Sequence, residues 1–461
     1  MVNQPNNFAS SWRKDIYPII WLALPLILTN FAYVALTTID ILVLGSLGVK
    51  EIAAGGLAIA LFNQLRTTGT GLVTGVSNLV AEANIRQDRQ EIQSLLVSGL
   101  FWATLSSLVF CIIIFLLKKP LLWLGQDAEI VSLTVHFLIV MAPGMFPCLW
   151  FQTLRHFTVG LKYPGPLLAI TIISIFLTLF FNFAFVFGKF GFPALGFLGV
   201  ALTTSIVFFL SFLMFLIVVL KNRVLSEYFI FEKIKFDVNA IRSVWKLGLP
   251  IAGTYASEAG FFSVLTLLIG TLGVNALAAQ TVINQIIYIV FMISAGISHA
   301  SSILISEAYS VKDYVRAKRL GYTGLSIGCI CMFFIAIPYL LIPEQIIQIF
   351  SSSDKSSDTG FFTIMVTGLA IASLLQVFDS MQNIGNGILR GIGDTVSPFK
   401  LSIIGYWLVG LPAAYILGKV LPFNIYGVWY GLMIGLAFTS LLLIYAFNKR
   451  LKSLSVQTAD R

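Results

Sequence analysis

"ALPLILTNFAYVALTTIDILVLGSLGVKEIAA", residues 23–54, aligns without a gap with "GLPIAGTYASEAGFFSVLTLLIGTLGVNALAA", residues 248–279. Pro25 falls on Pro250, Gly45 on Gly270, and the "LGV" at 47–49 on the "LGV" at 272–274. The same offset of 225 carries "AEA" at 81–83 onto "SEA" at 306–308, and "SGL" at 98–100 onto "TGL" at 323–325. Two unrelated apolar helices would not hold register across the polar loops between them. The chain contains an internal repeat.

The rest of the sequence says where those units live. Hydrophobic residues make up 58% of 461 positions and charged residues 11%, with a mean hydropathy of +0.92. A soluble domain is about 45–50% apolar and about 25% charged, so this composition indicates a polytopic membrane protein. Twelve apolar stretches reach bilayer-spanning length, near residues 16–44, 54–80, 93–117, 130–154, 166–188, 195–220, 246–271, 277–305, 320–343, 361–389, 397–418 and 425–447. The first follows Arg13 and Lys14 but is too long for a signal-peptide core and lacks a small-residue exit, so it reads as a retained helix.

Basic residues retained on the cytoplasmic side give the orientation. With the N-terminus inside, the inner segments hold 22 of the 29 lysines and arginines, the outer loops six, and Arg66 lies within the second span. Both termini are therefore expected in the cytoplasm, and the net charge of +9 belongs to a membrane face, with no call for nucleic acid. Six spans separate the copies, an even number, so both enter the membrane from the same side. This predicts an all-α fold of two parallel-repeat six-helix bundles, with a ligand site between or within them. The expected division is an N-lobe at 1–220, a basic cytoplasmic linker at 221–245 and a C-lobe at 246–461. Pro25, Pro250, Pro143 and Pro147 fall inside spans, as kinks or hinges.

Several chemistries find no support. There is no G-x-x-x-x-G-K-[ST] phosphate loop: the Gly-Lys pairs at Gly188 and Gly418 lack the pattern. His136, His156 and His299 show no metalloprotease spacing, and no nucleophile set suggests hydrolysis. Cys111, Cys148, Cys329 and Cys331 lie in apolar segments without metal-ligand spacing and read as small hydrophobes. The protein is expected to need no cofactor and not to be an enzyme. Transport would draw on an ion gradient.

Three acids then stand out: Asp40 in span 1, Glu258 in span 7 and Asp379 in span 10. A charge at membrane depth costs several kcal/mol, so such residues usually face an interior cavity and bind something. These are candidate sites for Na+ or H+, a hard cation being held by oxygen ligands. Asp40 has an alternative, since Arg66 could simply pair with it. Glu82 and Glu307, at matching ends of their repeats, read as interfacial helix-end residues.

These acids, with "LFFNFAFVFGKFGFPALGFLGVALTTS" (179–205), "LGLPIAGTYASEAGFF" and "FDSMQNIGNGILRGIGDTVSPF" (378–399), make the chain resemble the multidrug and toxic compound extrusion (MATE) family, in its NorM-like bacterial branch, over nearly its full length. The resemblance implies a V-shaped pair of six-helix lobes in the bacterial inner membrane, a monomer that exports organic cations in exchange for Na+ or H+. It places the N-lobe acid at Asp40 and the C-lobe acids at Glu258 and Asp379. Its N-lobe polar pair falls on Asn182 and Thr178, and Gln285, Tyr288 and Asn383 are the expected polar side chains of the C-lobe cavity. The chain departs from the family at Thr178, at "AAQTV" (278–282) where many relatives carry "AAHQ", and at Glu82 and Glu307, where glutamine is commoner. Pro25 and Pro250 are the hinge candidates for alternating access.

Other readings stay open. A related lipid-linked sugar flippase would place several basic residues at membrane depth, where the sequence shows clearly only Arg66. A channel or receptor would need no titratable acid in each lobe. An exporter of an endogenous metabolite would look the same in sequence.

Overall fold

Proline, glycine and aspartate punctuate an otherwise continuous set of helices. The computed structural model describes residues 8–47, 49–123, 128–163, 166–229, 237–350 and 359–459, so part of the expected linker (230–236) lies outside the described residues. The helices are α1 (Phe8–Leu47), α2 (Val49–Ile85), α3 (Arg89–Leu116), α4 (Lys118–Trp123), α5 (Ala128–Met141), α6 (Met145–Gly160), α7 (Pro166–Phe185), α8 (Phe197–Lys221), α9 (Val238–Gly270), α10 (Val274–Ser310), α11 (Tyr314–Leu341), α12 (Pro343–Phe350), α13 (Thr359–Gly391), α14 (Val396–Ile403), α15 (Leu411–Tyr415) and α16 (Asn424–Ala459). Among the described residues there is no strand.

Eleven of these, counting α5 with α6 and α14 with α15, are long and apolar enough to cross a membrane. The twelfth is α2: its 37 residues are ample in length, but Asn63, Gln64, Arg66, Thr67, Thr68 and Thr70 lower its hydropathy. Together they make the expected twelve-helix membrane fold. Outward faces carry exposed apolar side chains such as Leu116, Phe176, Phe183 and Leu441, which is the surface a hydrocarbon solvent requires.

The offset of 225 reappears in the backbone. Gln87 ends α2 in the left-handed region (φ 57°), and the Asp88 carboxylate accepts the Glu91 N–H at 2.9 Å to cap α3. Lys312 (φ 60°) and Asp313, which accepts the Arg316 N–H at 2.9 Å, do the same between α10 and α11. A left-handed residue closes one helix and the aspartate satisfies an orphan amide of the next. The two copies share a turn as well as an apolar pattern.

By packing, the chain forms two compact units, residues 28–255 and residues 1–27 with 256–461, called here the N-unit and the C-unit. In the N-unit the start of α9 lies close on α2: a Cβ on Gly248 would stand 1.9 Å from the Leu72 carbonyl oxygen. Trp245 stacks on Trp102 with centroids 4.3 Å apart, and the Trp102 indole donates to the Ile241 carbonyl at 3.0 Å. In the C-unit the start of α1 is tied to α11 by an ion pair between the buried Asp15 and Arg319.

The C-unit also contains a glycine seam. Gly427, Gly431 and Gly435, spaced by four, form one stripe of α16, and Cβ atoms there would stand 2.2 Å from the Leu417 carbonyl oxygen, 2.2 Å from the Ala414 nitrogen and 2.8 Å from the Gly410 Cα. Small residues at this spacing let membrane helices approach backbone to backbone. The facing span is itself irregular, with π-helical turns at Ile404–Gly410 and Ile416–Val420 on either side of α15, which contains Pro412. Such turns are frequent at functional sites, and the first of them contains Tyr406.

Candidate functional site

Each unit buries an acid. In the N-unit Asp40 of α1 is 6% exposed. Its Oδ1 accepts from the Asn182 amide of α7 at 3.3 Å, and its Oδ2 accepts from the Thr204 hydroxyl of α8 at 3.0 Å. Asn182 retains an unpartnered buried Oδ1 that can serve as an additional oxygen ligand. Thr178 does not reach the carboxylate; its hydroxyl donates to the Ser174 carbonyl one turn back, at 2.9 Å. Thr204 takes the place expected of Thr178, and it escaped notice because a threonine in an apolar helix is unremarkable. The quoted "ALTTS" (201–205) contained the only hint.

Arg66 is not the partner of Asp40. Its Nε donates to Asn63 Oδ1 at 3.1 Å, while Asp40 is held by Asn182 and Thr204. A second basic residue belongs in the description. Arg155, one residue past the expected span at 130–154, lies inside α6 and is 8% exposed. The apolar run continues to Gly160, past the boundary at 154 drawn from the sequence.

The C-unit brings together Glu258 of α9 and Asp379 of α13, which lie within electrostatic range of each other. Asp379 is 4% exposed and its Oδ1 has no hydrogen-bond partner. Tyr406, fully buried, interacts electrostatically with both carboxylates. Beside the Tyr406 hydroxyl lies the fully buried side-chain amide of Gln382. Buried polar atoms are rarely left unpaired, and each exception calls for an explanation. Here the exception is Asp379 Oδ1, within range of a second acid, an arrangement that a proton, a hard cation or ordered water would complete. Tyr406 and Gln382 were not foreseen: a tyrosine in span 11 becomes significant only once the fold sets it beside acids far away in sequence.

The remaining polar residues are more dispersed. Asn383 is half-buried and donates to the Ser294 hydroxyl at 3.3 Å, while its carbonyl accepts from Ser298 at 2.8 Å. Gln285 is half-buried and Tyr288 exposed. Gln280, in the unusual "AAQTV", accepts the Trp429 indole N–H at 2.5 Å. Glu82 and Glu307 each stand three residues from the end of α2 and α10, Glu82 half-buried and Glu307 buried. Among the described residues, no group of three or more His, Cys, Asp or Glu could hold a metal ion.

Comparison with known proteins agrees with this architecture. The sequence model of the MatE family matches residues 25–184 and 250–416, once per repeat. A probable multidrug resistance protein NorM of Pseudomonas aeruginosa is 33% identical over 435 residues, 94% of this chain and 89% of that protein. One from Synechocystis is 31% identical over 439 residues, 94% and 95% of the two chains. Among solved structures, the eukaryotic MATE transporter AtDTX14 superposes with a TM-score of 0.85 at 19% identity, covering 97% of this chain and 99% of that one. A MATE in complex with MaL6 superposes with a TM-score of 0.87 at 17% identity, covering 96% and 97%. The duplicated helices, the buried acid in each unit and a family match across both repeats lead to one assignment: the chain belongs to the MatE family of multidrug and toxic compound extrusion transporters, alongside the bacterial NorM proteins.

Proposed function

We propose that the protein is a secondary active antiporter that exports organic cations across the bacterial inner membrane, with both termini in the cytoplasm, in exchange for Na+ or H+. The observation that carries this is the acid pair Glu258–Asp379, in which Asp379 Oδ1 is buried and without a hydrogen-bond partner. Two carboxylates in a low-dielectric interior repel each other unless a positive charge joins them, and the same oxygens can accept a drug cation or a coupling ion. Asp40 with Asn182 and Thr204 forms the counterpart in the N-unit. Occupation of the carboxylates by the coupling ion then favours release of the drug, and Pro25 and Pro250 are the proposed hinges. Phenylalanine and tyrosine rings near the path attract cations through their faces.

The energetics are sufficient. One coupling charge yields about 2.3 kcal/mol per 100 mV, and tenfold accumulation requires about 1.4 kcal/mol. For a monovalent drug exchanged one for one the potential cancels, and the ion's concentration gradient drives export. The test is ethidium accumulation in a pump-deficient bacterium producing wild type or Asp379→Asn at matched membrane levels, with and without Na+. Lower accumulation with wild type alone is the expected result, and stimulation by Na+ identifies the ion. Equal accumulation in both strains and in an empty control would refute cation export.

A further inference from the structure

The π-helical turn Ile404–Gly410 of the C-unit carries Trp407 immediately after Tyr406. The Trp407 indole N–H donates to the Ser257 hydroxyl of α9 at 2.9 Å. Its ring meets Phe261 edge to face, with centroids 6.3 Å apart and planes at 67°. Tyr406 stacks on the same Phe261, with centroids 5.0 Å apart and planes 13° from parallel. Ser257 and Phe261 lie one helical turn apart on α9 and bracket Glu258. The serine that holds the indole is the chain neighbour of the acid, about 3.8 Å away between Cα atoms.

The two aromatic residues are held differently. Tyr406 is fully buried, whereas Trp407 is half-buried. The indole N–H is engaged by Ser257, which fixes the ring, and among the described residues Phe261 is the one ring that touches it. Position 260 of α9 is glycine, and a Cβ there would stand 3.6 Å from the indole, so α9 lays no side chain over that part of the ring. A tryptophan that served only to join span 11 to α9 would gain by being packed on both faces. This one is clamped by its edge while ring surface stays open.

The repeat shows these features arriving together. In the gapless alignment Ser257, Glu258 and Phe261 fall on Ala32, Tyr33 and Leu36. The first copy has neither the acid, nor the hydroxyl that holds an indole, nor the ring that props it. The hydroxyl, the carboxylate and the aromatic contact are confined to one copy, as parts of a single site would be.

The face of an aromatic ring attracts cations, tryptophan most strongly, whereas Na+ is held by oxygen ligands. We propose that the face of Trp407, beside Glu258, is the subsite on which the C-unit receives an aromatic organic cation. The organic cation uses ring and carboxylate together, and the coupling ion uses the carboxylates alone. This rests on the transport reading above and names the residue by which the site distinguishes its two kinds of cation.

The test replaces Trp407 alone with mono-, di- and trifluorotryptophan by site-directed incorporation. Fluorine withdraws electron density from the ring face but leaves the shape of the ring and its N–H in place. Ethidium binding to the purified full-length protein is followed by fluorescence polarisation, melting temperature is measured alongside, and ethidium efflux is followed in cells. Affinity should fall stepwise with each fluorine at constant melting temperature. Trp407→Leu should weaken binding about tenfold, the range of a desolvated cation–ring contact, with Trp407→Phe in between. Equal affinity across the fluorinated series would show that the ring face is not used and would overturn the subsite, even if Trp407→Leu binds poorly. If Trp407→Leu does not fold, the fluorinated series decides the question alone. A wild-type protein that does not bind ethidium would also overturn the subsite. Fluorine-dependent binding without efflux would retain the subsite and refute transport. Efflux that requires Asp379, with binding indifferent to fluorine, would do the reverse.

Discussion

Gly431→Ala puts the glycine seam of α16 to a quantitative test. The added methyl would stand 2.2 Å from the backbone nitrogen of Ala414. Ordinary contact begins at 3.4 Å, so the two backbones would have to separate by more than 1 Å. Because the obstacle is backbone, rotamer changes cannot relieve it, and the cost lies near the upper end of the roughly 1–3 kcal/mol seen for overpacking. Replacing a helical glycine returns about 1 kcal/mol of propensity, leaving a net loss of about 2 kcal/mol. Gly56→Ala on α2 is the control, since a methyl there meets nothing within 4 Å and should stabilise by up to about 1 kcal/mol. The two variants therefore differ by about 3 kcal/mol, or about 6–12 °C in melting temperature for a unit of this size. Thermal denaturation in detergent, followed by fluorescence-detected size exclusion, measures the difference. Since the seam holds the span that presents Tyr406 to Glu258 and Asp379, Gly431→Ala should also reduce export. A Gly431→Ala protein that melts with or above Gly56→Ala would refute the close approach and the reasoning built on it.

Asp40→Asn should reduce drug export about tenfold or more by removing the N-unit charge, a loss of at least about 1.4 kcal/mol, with membrane insertion unchanged; wild-type export at matched levels would refute the role. Tyr406→Phe removes the hydroxyl within range of both C-unit carboxylates and should slow export without lowering the melting temperature; a normal rate would make that hydroxyl a bystander. Asp88→Ala and Asp313→Ala should each cost about 1 kcal/mol as lost caps, and by equal amounts if the duplicated turns are equivalent, which paired melting curves would check.

What the sequence revealed followed from contrast with the membrane. Asp40, Glu258 and Asp379 could be found because an acid in an apolar run is conspicuous, and the repeat because proline and glycine punctuate both copies alike. The twelve spans followed from length and hydropathy, even α2, whose polar middle leaves it the least apolar. Thr204, Gln382 and Tyr406 gave no such contrast: hydroxyls and amides are common in membrane helices, and their meaning lies in what the fold sets beside them. Arg155 was hidden for another reason. A basic residue near the end of an apolar run looks like the first residue of a loop, and only the course of α6 shows it to be interior. Thr178 misled in the opposite direction, since its spacing from Asn182 is right but its hydroxyl bonds to its own helix.

The left-handed residues Gln87 and Lys312 offer a practical opportunity. A side chain in that conformation carries roughly 1–2 kcal/mol of strain that glycine would not, and two of the five non-glycine residues at positive φ among the described residues sit at these equivalent turns. Gln87→Gly and Lys312→Gly therefore give an engineer two matched handles for making a more heat-tolerant transporter, for crystallisation or long assays, with Asp40, Glu258 and Asp379 left in place. Because the turns are copies, each handle also serves as the internal control for the other.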